Sequence, residues 1–133
     1  LTVTTDQRRP WLACEQAHLA LREVWLQATG WLVGSYVLMP DHLHCLCVPG
    51  PGNFAMERWI TYWKDQFWKK HLRPDWKWQS RGWHHRLRSD ESLQERWQYF
   101  QQNPVRAGLV TQAESWPYQG RIHDLGQSHL GNL

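Results

Sequence analysis

The chain has 133 residues, of which 41% are hydrophobic and 20% are charged, and its formal net charge is +3. This length suits one domain with its own core, and the apolar content excludes a disordered chain. No apolar run reaches 18 residues, and three cysteines do not make a disulfide framework. Because free thiols are typical of a reducing compartment, we expect a cytoplasmic protein.

The hydrophobic pattern predicts elements in the order strand, helix, strand, strand, helix, strand, helix. Runs rich in β-branched or alternating apolar residues predict the strands, and apolar residues at helical spacing predict the helices. Glycine and proline mark the breaks between them. The predicted strands are 1–5, 31–38, 41–48 and 83–88, and the predicted helices are 11–27, 54–71 and 90–102, with a further helical turn over 104–109.

This order of elements matches a ferredoxin-like, split βαβ fold of the α+β class. It predicts an antiparallel four-stranded sheet with helices packed on one face, and an extra C-terminal helix that carries Tyr99. We expect a single domain over 1–118, followed by a loosely ordered tail over 119–133.

Two histidines stand two residues apart within the predicted third strand. Since alternate side chains of a strand share a face, His42 and His44 point the same way and Leu43 points to the other face. Two neutral imidazoles side by side on a strand form half of a divalent-metal site. Solvent-facing or hydrogen-bonded strand histidines produce the same pattern, so the motif alone leaves both interpretations open.

Tyr99 and Asn103 lie four residues apart and therefore share one face of the last predicted helix. If that face packs over the two histidines, the amide oxygen of Asn103 becomes a third metal ligand and the Tyr99 hydroxyl lies near the metal. Such an open site suits Mg²⁺ or Mn²⁺ acting on a phosphate, which Tyr99 would attack to form a phosphotyrosine. A half-buried core tyrosine and a helix-capping asparagine are the alternatives.

Basic residues cluster between positions 69 and 88, where Asp75 is the single acid. Trp76, Trp78 and Trp83 lie in the same stretch. Cations on phosphates and rings under bases suit a single-stranded nucleic acid, although a solvated basic loop has the same composition. The candidate DNA-binding residues are Lys69, Lys70, Arg73, Lys77, Arg81, Arg86 and Arg88, with Arg106 as a weaker candidate.

Two longer motifs resemble those of the single-tyrosine transposases of the HUH type. The segment Tyr36–Leu46 is similar to their His-hydrophobe-His motif, and the segment Tyr99–Val110 is similar to their tyrosine helix. The segment Phe54–Phe67 resembles a subgroup, the REP-associated tyrosine transposases, which are bacterial proteins associated with repetitive extragenic palindromes. The resemblance extends from the start of the chain to about Tyr118.

The resemblance implies an enzyme that cleaves and rejoins single-stranded DNA beside a small hairpin through a 5′-phosphotyrosine. By that pattern His42, His44 and Asn103 bind a divalent metal, Mg²⁺ or Mn²⁺, and Tyr99 is the nucleophile. It favours a monomer, with a dimer as the other arrangement found among relatives. One departure is His84, because family members often have an acidic residue there.

Two other functions remain open at this point. A catalytically silent module on the same fold would bind single-stranded or hairpin DNA without cleaving it. A hydrolytic nuclease would use a metal-bound water and leave the tyrosine structural. The presence of both histidines together with Tyr99 and Asn103 favours the transposase, since a binding module does not require all four.

Overall fold

The computed structural model describes residues 1–84 and 90–125, and of residues 90–93 it describes the backbone alone. Five strands and four α-helices make up this part of the chain. The strands are β1 (Thr2–Thr5), β2 (Trp31–Leu38), β3 (His42–Pro49), β4 (Trp78–His84) and β5 (Gln119–Arg121). The helices are α1 (Glu15–Gln27), α2 (Met56–His71), α3 (Asp90–Gln101) and α4 (Asn103–Arg106), joined by two short 3-10 helices at Asp6–Arg8 and Ala113–Ser115.

The strands form one antiparallel sheet in the order β4-β1-β3-β2-β5. The four-strand core of this order, with α1 after β1 and α2 after β3, is the predicted ferredoxin-like α+β arrangement, so the fold class is confirmed. β3 is central and pairs with β1 on one side and β2 on the other. Its side chains are therefore fixed by two neighbours, which makes it a rigid support for a site.

The sheet differs from the prediction at its edge, where β5 adds a fifth strand to β2. Gly120 lies opposite Tyr36, and a Cβ atom there would come within 2.8 Å of the Tyr36 hydroxyl oxygen. The predicted count of four strands is wrong because a three-residue strand containing glycine has no periodicity to detect. Leu125 is also buried, so the tail predicted to be loosely ordered from 119 contributes to the fold up to 125, and 126–133 lie outside the described residues.

The fourth strand begins earlier than predicted, at Trp78 instead of Trp83. Its register against β1 pairs Thr5 with Trp78 and Thr2 with His84, with an irregularity between them. Arg81 has a positive φ of 57° in this stretch, which breaks the alternation on which the sequence prediction relied. The end of the predicted strand, 85–88, lies outside the described residues.

The helices α1 and α2 cover one face of the sheet with an aromatic core. Trp25 and Trp63 are fully buried, and their ring centroids lie 5.6 Å apart in an edge-to-face contact. Trp76 is 8% exposed and Trp78 packs against Trp63 at 5.4 Å. Trp76 belongs to the core, which leaves little of its ring for a base, whereas Trp78 is only partly buried against the core and its role as a stacking surface stays a prediction.

The opposite face of the sheet carries a smaller cluster on which α3 rests. Val37 and Leu46 from the strands meet Trp97 of α3 and Trp116 in the chain after α4. The indole Nε1 of Trp116 donates to the carbonyl oxygen of Leu38 at 2.9 Å. The predicted packing of helices on one face thus holds for α1 and α2, while α3 lies on the other face. Of the helices in the described part of the chain, none combines the length and hydropathy that a membrane crossing needs.

Candidate metal and tyrosine site

The two histidines of β3 lie together on the sheet face that α3 covers. His42 is paired with Thr4 of β1, and His44 is paired with Thr2 of β1 and Val37 of β2. Their ring centroids are 4.9 Å apart with an interplanar angle of 77°. The strand therefore presents both imidazoles on one face, as the two-residue spacing predicts.

The ring of His42 is held by a carboxylate. Its Nδ1 lies 2.7 Å from Oδ1 of Asp41, and Oδ2 of the same carboxyl accepts from Nε of Arg8 at 2.8 Å. Partial burial acts to raise the pKa of Asp41, but the hydrogen bonds from His42 and Arg8 outweigh it and lower that pKa. An ionised Asp41 accepts hydrogen bonds, so the geometry favours the tautomer with a proton on Nδ1 and a lone pair on Nε2 of His42.

The ring of His44 is held by a hydroxyl group and an aromatic ring. Its Nδ1 lies 2.8 Å from Oγ1 of Thr2, and its plane stacks on Phe100 at 3.9 Å and 12°. Burial lowers the pKa of His44 to about 3, and the nearby positive charges of His42, the N-terminus, His84 and Arg96 add to that effect. The imidazole of His44 is consequently neutral near pH 7, which is the form that a metal requires.

In both histidines Nδ1 is engaged, which leaves Nε2 as the atom available to a metal. A ligating histidine that gives its other ring nitrogen to a carboxylate or hydroxyl group is typical of metal sites. The described residues contain no group of three His, Cys, Asp or Glu side chains that could hold a metal by themselves. The donor set therefore fits half of a divalent-metal site and requires a ligand of another kind to complete it.

Sequence reasoning missed the two residues that fix the rings. Asp41 directly precedes His42, and an acid beside a candidate ligand was a signal that could have been used. Thr2 lies 42 residues away from His44 in the chain. Only the register between β1 and β3 brings the two together, and that register is not visible in the sequence.

Tyr99 and Asn103 lie where α3 passes into α4. α3 ends at Gln101 and α4 begins at Asn103, and the side chain of Tyr99 is 55% exposed. The guanidinium carbon of Arg106 lies 3.7 Å from the centroid of the Tyr99 ring. An Nη2–H of Arg106 donates to the carbonyl oxygen of Tyr99 at 2.5 Å and also to Oδ1 of Asn103.

α3 does lie over the histidine face, but it makes that contact through Phe100. Phe100 stacks on His44, whereas the amide oxygen of Asn103 is bonded to Arg106. The assignments of Asn103 as third ligand and of Tyr99 as nucleophile therefore stay predictions. Phe100 was not singled out from the sequence because an apolar residue beside a tyrosine has no chemical signature of its own.

Lys69 and Lys70, two of the candidate DNA-binding cations, lie at the C-terminal end of α2 and form surface ion pairs. Lys69 pairs with Asp65 at 3.1 Å, and Lys70 pairs with Glu23 of α1 at 2.7 Å. Exposed pairs of this kind are weak and are easily exchanged for another anion. Both lysines stay predictions as phosphate contacts.

The remaining candidate cations follow α2 along the chain. Arg73 donates to the side chain of Gln16 at 2.8 Å and lies over Trp76 at 4.8 Å. Lys77 and Arg81 are exposed near and on β4, at the edge of the sheet beyond β1. Arg86 and Arg88 lie outside the described residues.

No protein-family model matches the chain, but individual proteins do. A REP-associated tyrosine transposase of Haemophilus influenzae is 31% identical over 103 residues, which cover 66% of this chain and 57% of the relative. The REP-associated tyrosine transposase of Escherichia coli is 29% identical over 100 residues, covering 71% of this chain and 57% of that protein. The chain thus spans little more than half the length of these curated relatives.

A solved structure of a REP-associated tyrosine transposase bound to a REP hairpin has the same fold. The TM-score is 0.71 at 26% sequence identity, and the match covers 89% of this chain and 72% of the other. The resemblance to REP-associated tyrosine transposases that the motifs indicated is therefore confirmed in both sequence and fold.

Proposed function

We propose that this chain is a transposase domain that cleaves and rejoins single-stranded DNA beside small palindromic hairpins. The carrying observation is the pair His42 and His44, whose Nδ1 atoms are engaged by Asp41 and Thr2 while both Nε2 atoms stay available. A module that only binds DNA has no need of two imidazoles prepared in this way. The relatives named as REP-associated tyrosine transposases and the hairpin-bound neighbour support the same function.

In this proposal Tyr99 is the nucleophile. Its hydroxyl oxygen attacks the scissile phosphorus as the phenol loses its proton, and the bond from phosphorus to the 3′ oxygen breaks. The departing 3′ oxygen takes up a proton and becomes a hydroxyl group, while the 5′ phosphate stays on the tyrosine. Attack by a 3′ hydroxyl reverses these steps, so rejoining requires no external energy source.

His42, His44 and Asn103 would hold a divalent metal, Mg²⁺ or Mn²⁺. When bound, such an ion polarises a phosphoryl oxygen and helps to orient the scissile phosphate. The contributions of the chain itself are the neutral imidazole of His44 and the hydrogen bonds of the two rings with Asp41 and Thr2, which keep both rings in place. These features match what the donors of a divalent-metal site need.

The proposed partner is single-stranded DNA with a hairpin of the repetitive extragenic palindrome type, bound by a monomer. The cations at the end of α2 and on β4 supply candidate phosphate contacts, with Lys77 and Arg81 exposed. If several of them bind phosphates, the affinity should fall steeply as salt concentration rises.

The test is a cleavage assay on labelled hairpin DNA with Mn²⁺, comparing the wild type with Tyr99→Phe. We expect a denaturation-resistant protein–DNA adduct in the wild type and none in Tyr99→Phe. Tyr62→Phe is a matched control, because Tyr62 is 54% exposed on α2 and Tyr99 is 55% exposed on α3. Cleavage that persists in Tyr99→Phe would exclude the tyrosine as nucleophile and indicate a hydrolytic nuclease with a metal-activated water.

A silent hairpin-binding module is the second candidate, and one observation favours it. Tyr99 and Asn103 are both held by Arg106, and Phe100 takes the place over His44. Salt-sensitive binding without cleavage, across several hairpins and with Mn²⁺ present, would establish this module in place of the enzyme.

A further inference from the structure

One guanidinium group holds three groups at the junction of α3 and α4. The charged plane of Arg106 covers the ring of Tyr99 at 3.7 Å, and its Nη2 donates to the Tyr99 carbonyl oxygen and to Oδ1 of Asn103. Arg106 is exposed, and so is Tyr99. A side chain on the surface is thereby given a defined position by its neighbour seven residues further along the chain.

The contacts of Arg106 are individually favourable. The carbonyl oxygens at the C-terminal end of a helix carry partial negative charge, so a cation there is stabilised. The Tyr99 carbonyl oxygen accepts from Arg106 in addition to the backbone N–H of Gln102 at 3.2 Å. A guanidinium over a tyrosine ring adds a cation–π attraction to these contacts. Arg106 therefore has reason to stay over Tyr99 as long as no stronger anion is near.

This arrangement engages both predicted site residues in contacts with Arg106. The amide oxygen of Asn103 is the atom that would bind a metal, and it is the atom that Arg106 engages. The ring of Tyr99 has one face covered, while Phe100 occupies the position against His44. While Arg106 keeps these contacts, a metal has to compete with its guanidinium for Oδ1 of Asn103, and the Tyr99 ring is held under a cation.

We propose that Arg106 is a positioning residue that releases Tyr99 and Asn103 when a DNA phosphate binds to it. This inference rests on the proposed function. Arginine binds phosphate through two parallel charge-assisted hydrogen bonds, which are stronger than bonds to a neutral amide or a ring face. A phosphate of the bound strand therefore takes over the guanidinium, frees Oδ1 of Asn103 and uncovers the Tyr99 ring.

The first test measures Mn²⁺ affinity in the absence of DNA by calorimetry. Arg106→Met keeps the apolar stem against the ring but removes the charge and the donors. Since Asn103 is then free to act as a ligand, Arg106→Met should bind Mn²⁺ more tightly than the wild type, on the order of tenfold. The gain should disappear in the double variant Arg106→Met/Asn103→Ala, because Asn103 can no longer act as a ligand there. A gain that came only from the lost positive charge would persist in the double variant.

The second test follows Tyr99 directly, without metal. Tyrosines are replaced by 3-fluorotyrosine, and the ¹⁹F resonance of Tyr99 is assigned by its absence in Tyr99→Phe. Hairpin DNA should shift this resonance in the wild type, and Arg106→Met should show it near the shifted position before DNA is added. Arg58→Met is the control for loss of one arginine charge, because Arg58 is exposed on α2, on the other side of the sheet.

Failure of this inference and failure of the proposed function have different signatures. If the wild type forms the Tyr99 adduct but Arg106→Met leaves Mn²⁺ affinity and the ¹⁹F resonance unchanged, the role of Arg106 is wrong and the transposase stands. A gain in Mn²⁺ affinity that persists when Asn103→Ala is added to Arg106→Met also overturns the proposed role of Arg106. If the wild type forms no adduct, and if His42→Ala binds Mn²⁺ as tightly as the wild type does, the proposed function itself fails.

Discussion

The two faces of the sheet are built from different kinds of side chain. The face under α1 and α2 is closed by fully buried aromatic residues such as Trp25, Trp63 and Phe67. The face under α3 carries His42 and His44, with a smaller apolar cluster beside them. The comparison indicates that stability and chemistry are separated, since a face that does not have to supply most of the apolar burial can keep polar imidazoles.

The face under α1 and α2, here called the aromatic face, contains buried polar groups that have no hydrogen-bond partner among the described residues. Trp11, Trp25, Trp63 and Trp78 have buried indole Nε1–H groups without a hydrogen-bond partner in the described part of the chain. Each such donor costs about 1–3 kcal/mol, whereas burying a large aromatic side chain repays about as much or more. This face therefore stabilises the fold chiefly through packing, with a few buried hydrogen bonds such as the one from Trp59 Nε1 to the Ala28 carbonyl oxygen at 2.7 Å.

Among the variants that test the difference between the two faces, Trp63→Ala should have the largest effect on the free energy of unfolding. Trp63 is fully buried and contacts Trp25, Trp59 and Trp78 edge to face. Its removal leaves a cavity, so we expect the free energy of unfolding to fall by about 3–5 kcal/mol in urea denaturation.

The control is Trp68→Ala on the same helix, where the tryptophan is 43% exposed. Its loss should cost less than about 1 kcal/mol. Equal costs at the two positions would contradict the assignment of stability to the α1 and α2 face.

The second variant, Thr2→Val, tests the histidine face and should lower its affinity for Mn²⁺. This change removes the oxygen that Nδ1 of His44 meets at 2.8 Å and leaves the size of the side chain nearly unchanged. We expect Mn²⁺ affinity to fall by about 10–100-fold, as for other partners of ligating histidines, with a small change in unfolding free energy. Thr4→Val is the control, because Thr4 lies on the same strand beside His42 in the register. Equal losses of affinity at Thr2 and Thr4 would argue against a role for the Thr2 hydroxyl.

The sequence predicts the elements of both faces better than it predicts the site. The bounds of β2 agree with the prediction, and β3 and α2 differ by one or two residues, because strong apolar patterns and clear glycine and proline breaks define them. β5 has no such pattern. Its place beside Tyr36 depends on the absence of a side chain at Gly120, which becomes evident only in the fold.

For the site, the sequence predicts which imidazoles lie together and cannot predict what surrounds them. His42 and His44 share a face through strand geometry alone. Thr2 and Phe100 reach His44 from distant parts of the chain, and local periodicity contains no information about such contacts. The hold of Arg106 on Asn103 is local, but two helical residues three apart have several possible partners, and the fold selects among them.

Gly34→Ala should have a smaller effect on the free energy of unfolding, and it tests how tightly Leu125 packs on the α3 face. A Cβ atom at Gly34 would lie 2.6 Å from Cδ1 and 2.8 Å from Cγ of Leu125. Leucine can yield by changing its rotamer, so we expect a loss of about 1 kcal/mol in unfolding free energy. The double variant Gly34→Ala/Leu125→Ala should lose less than the sum of the two single losses. Strict additivity would show that Leu125 does not close this face.

The smallest effect is a pH dependence on the aromatic face, carried by His71. Nδ1 of His71 accepts the backbone N–H of Arg73 at 2.9 Å, and the ring packs against Phe67 and Trp76. Burial lowers the pKa of His71 below 6.5, the charge of Arg73 lowers it further, and Asp75 acts in the opposite direction. The unfolded chain therefore binds a proton more readily, so this stabilisation is complete above about pH 6.5 and is lost as the pH falls toward the folded pKa.

Urea denaturation at about pH 7.5 and about pH 5 measures this loss, with His71→Gln as the comparison. A glutamine oxygen can accept the Arg73 N–H without titrating, so the drop in unfolding free energy between the two pH values should be smaller in the variant. His18 also has a lowered pKa through burial and the nearby Arg22, but it contributes equally to both proteins. Because the variant differs only at the aromatic face, an unchanged drop would mean that the pH dependence arises elsewhere and that this face is indifferent to charge at His71.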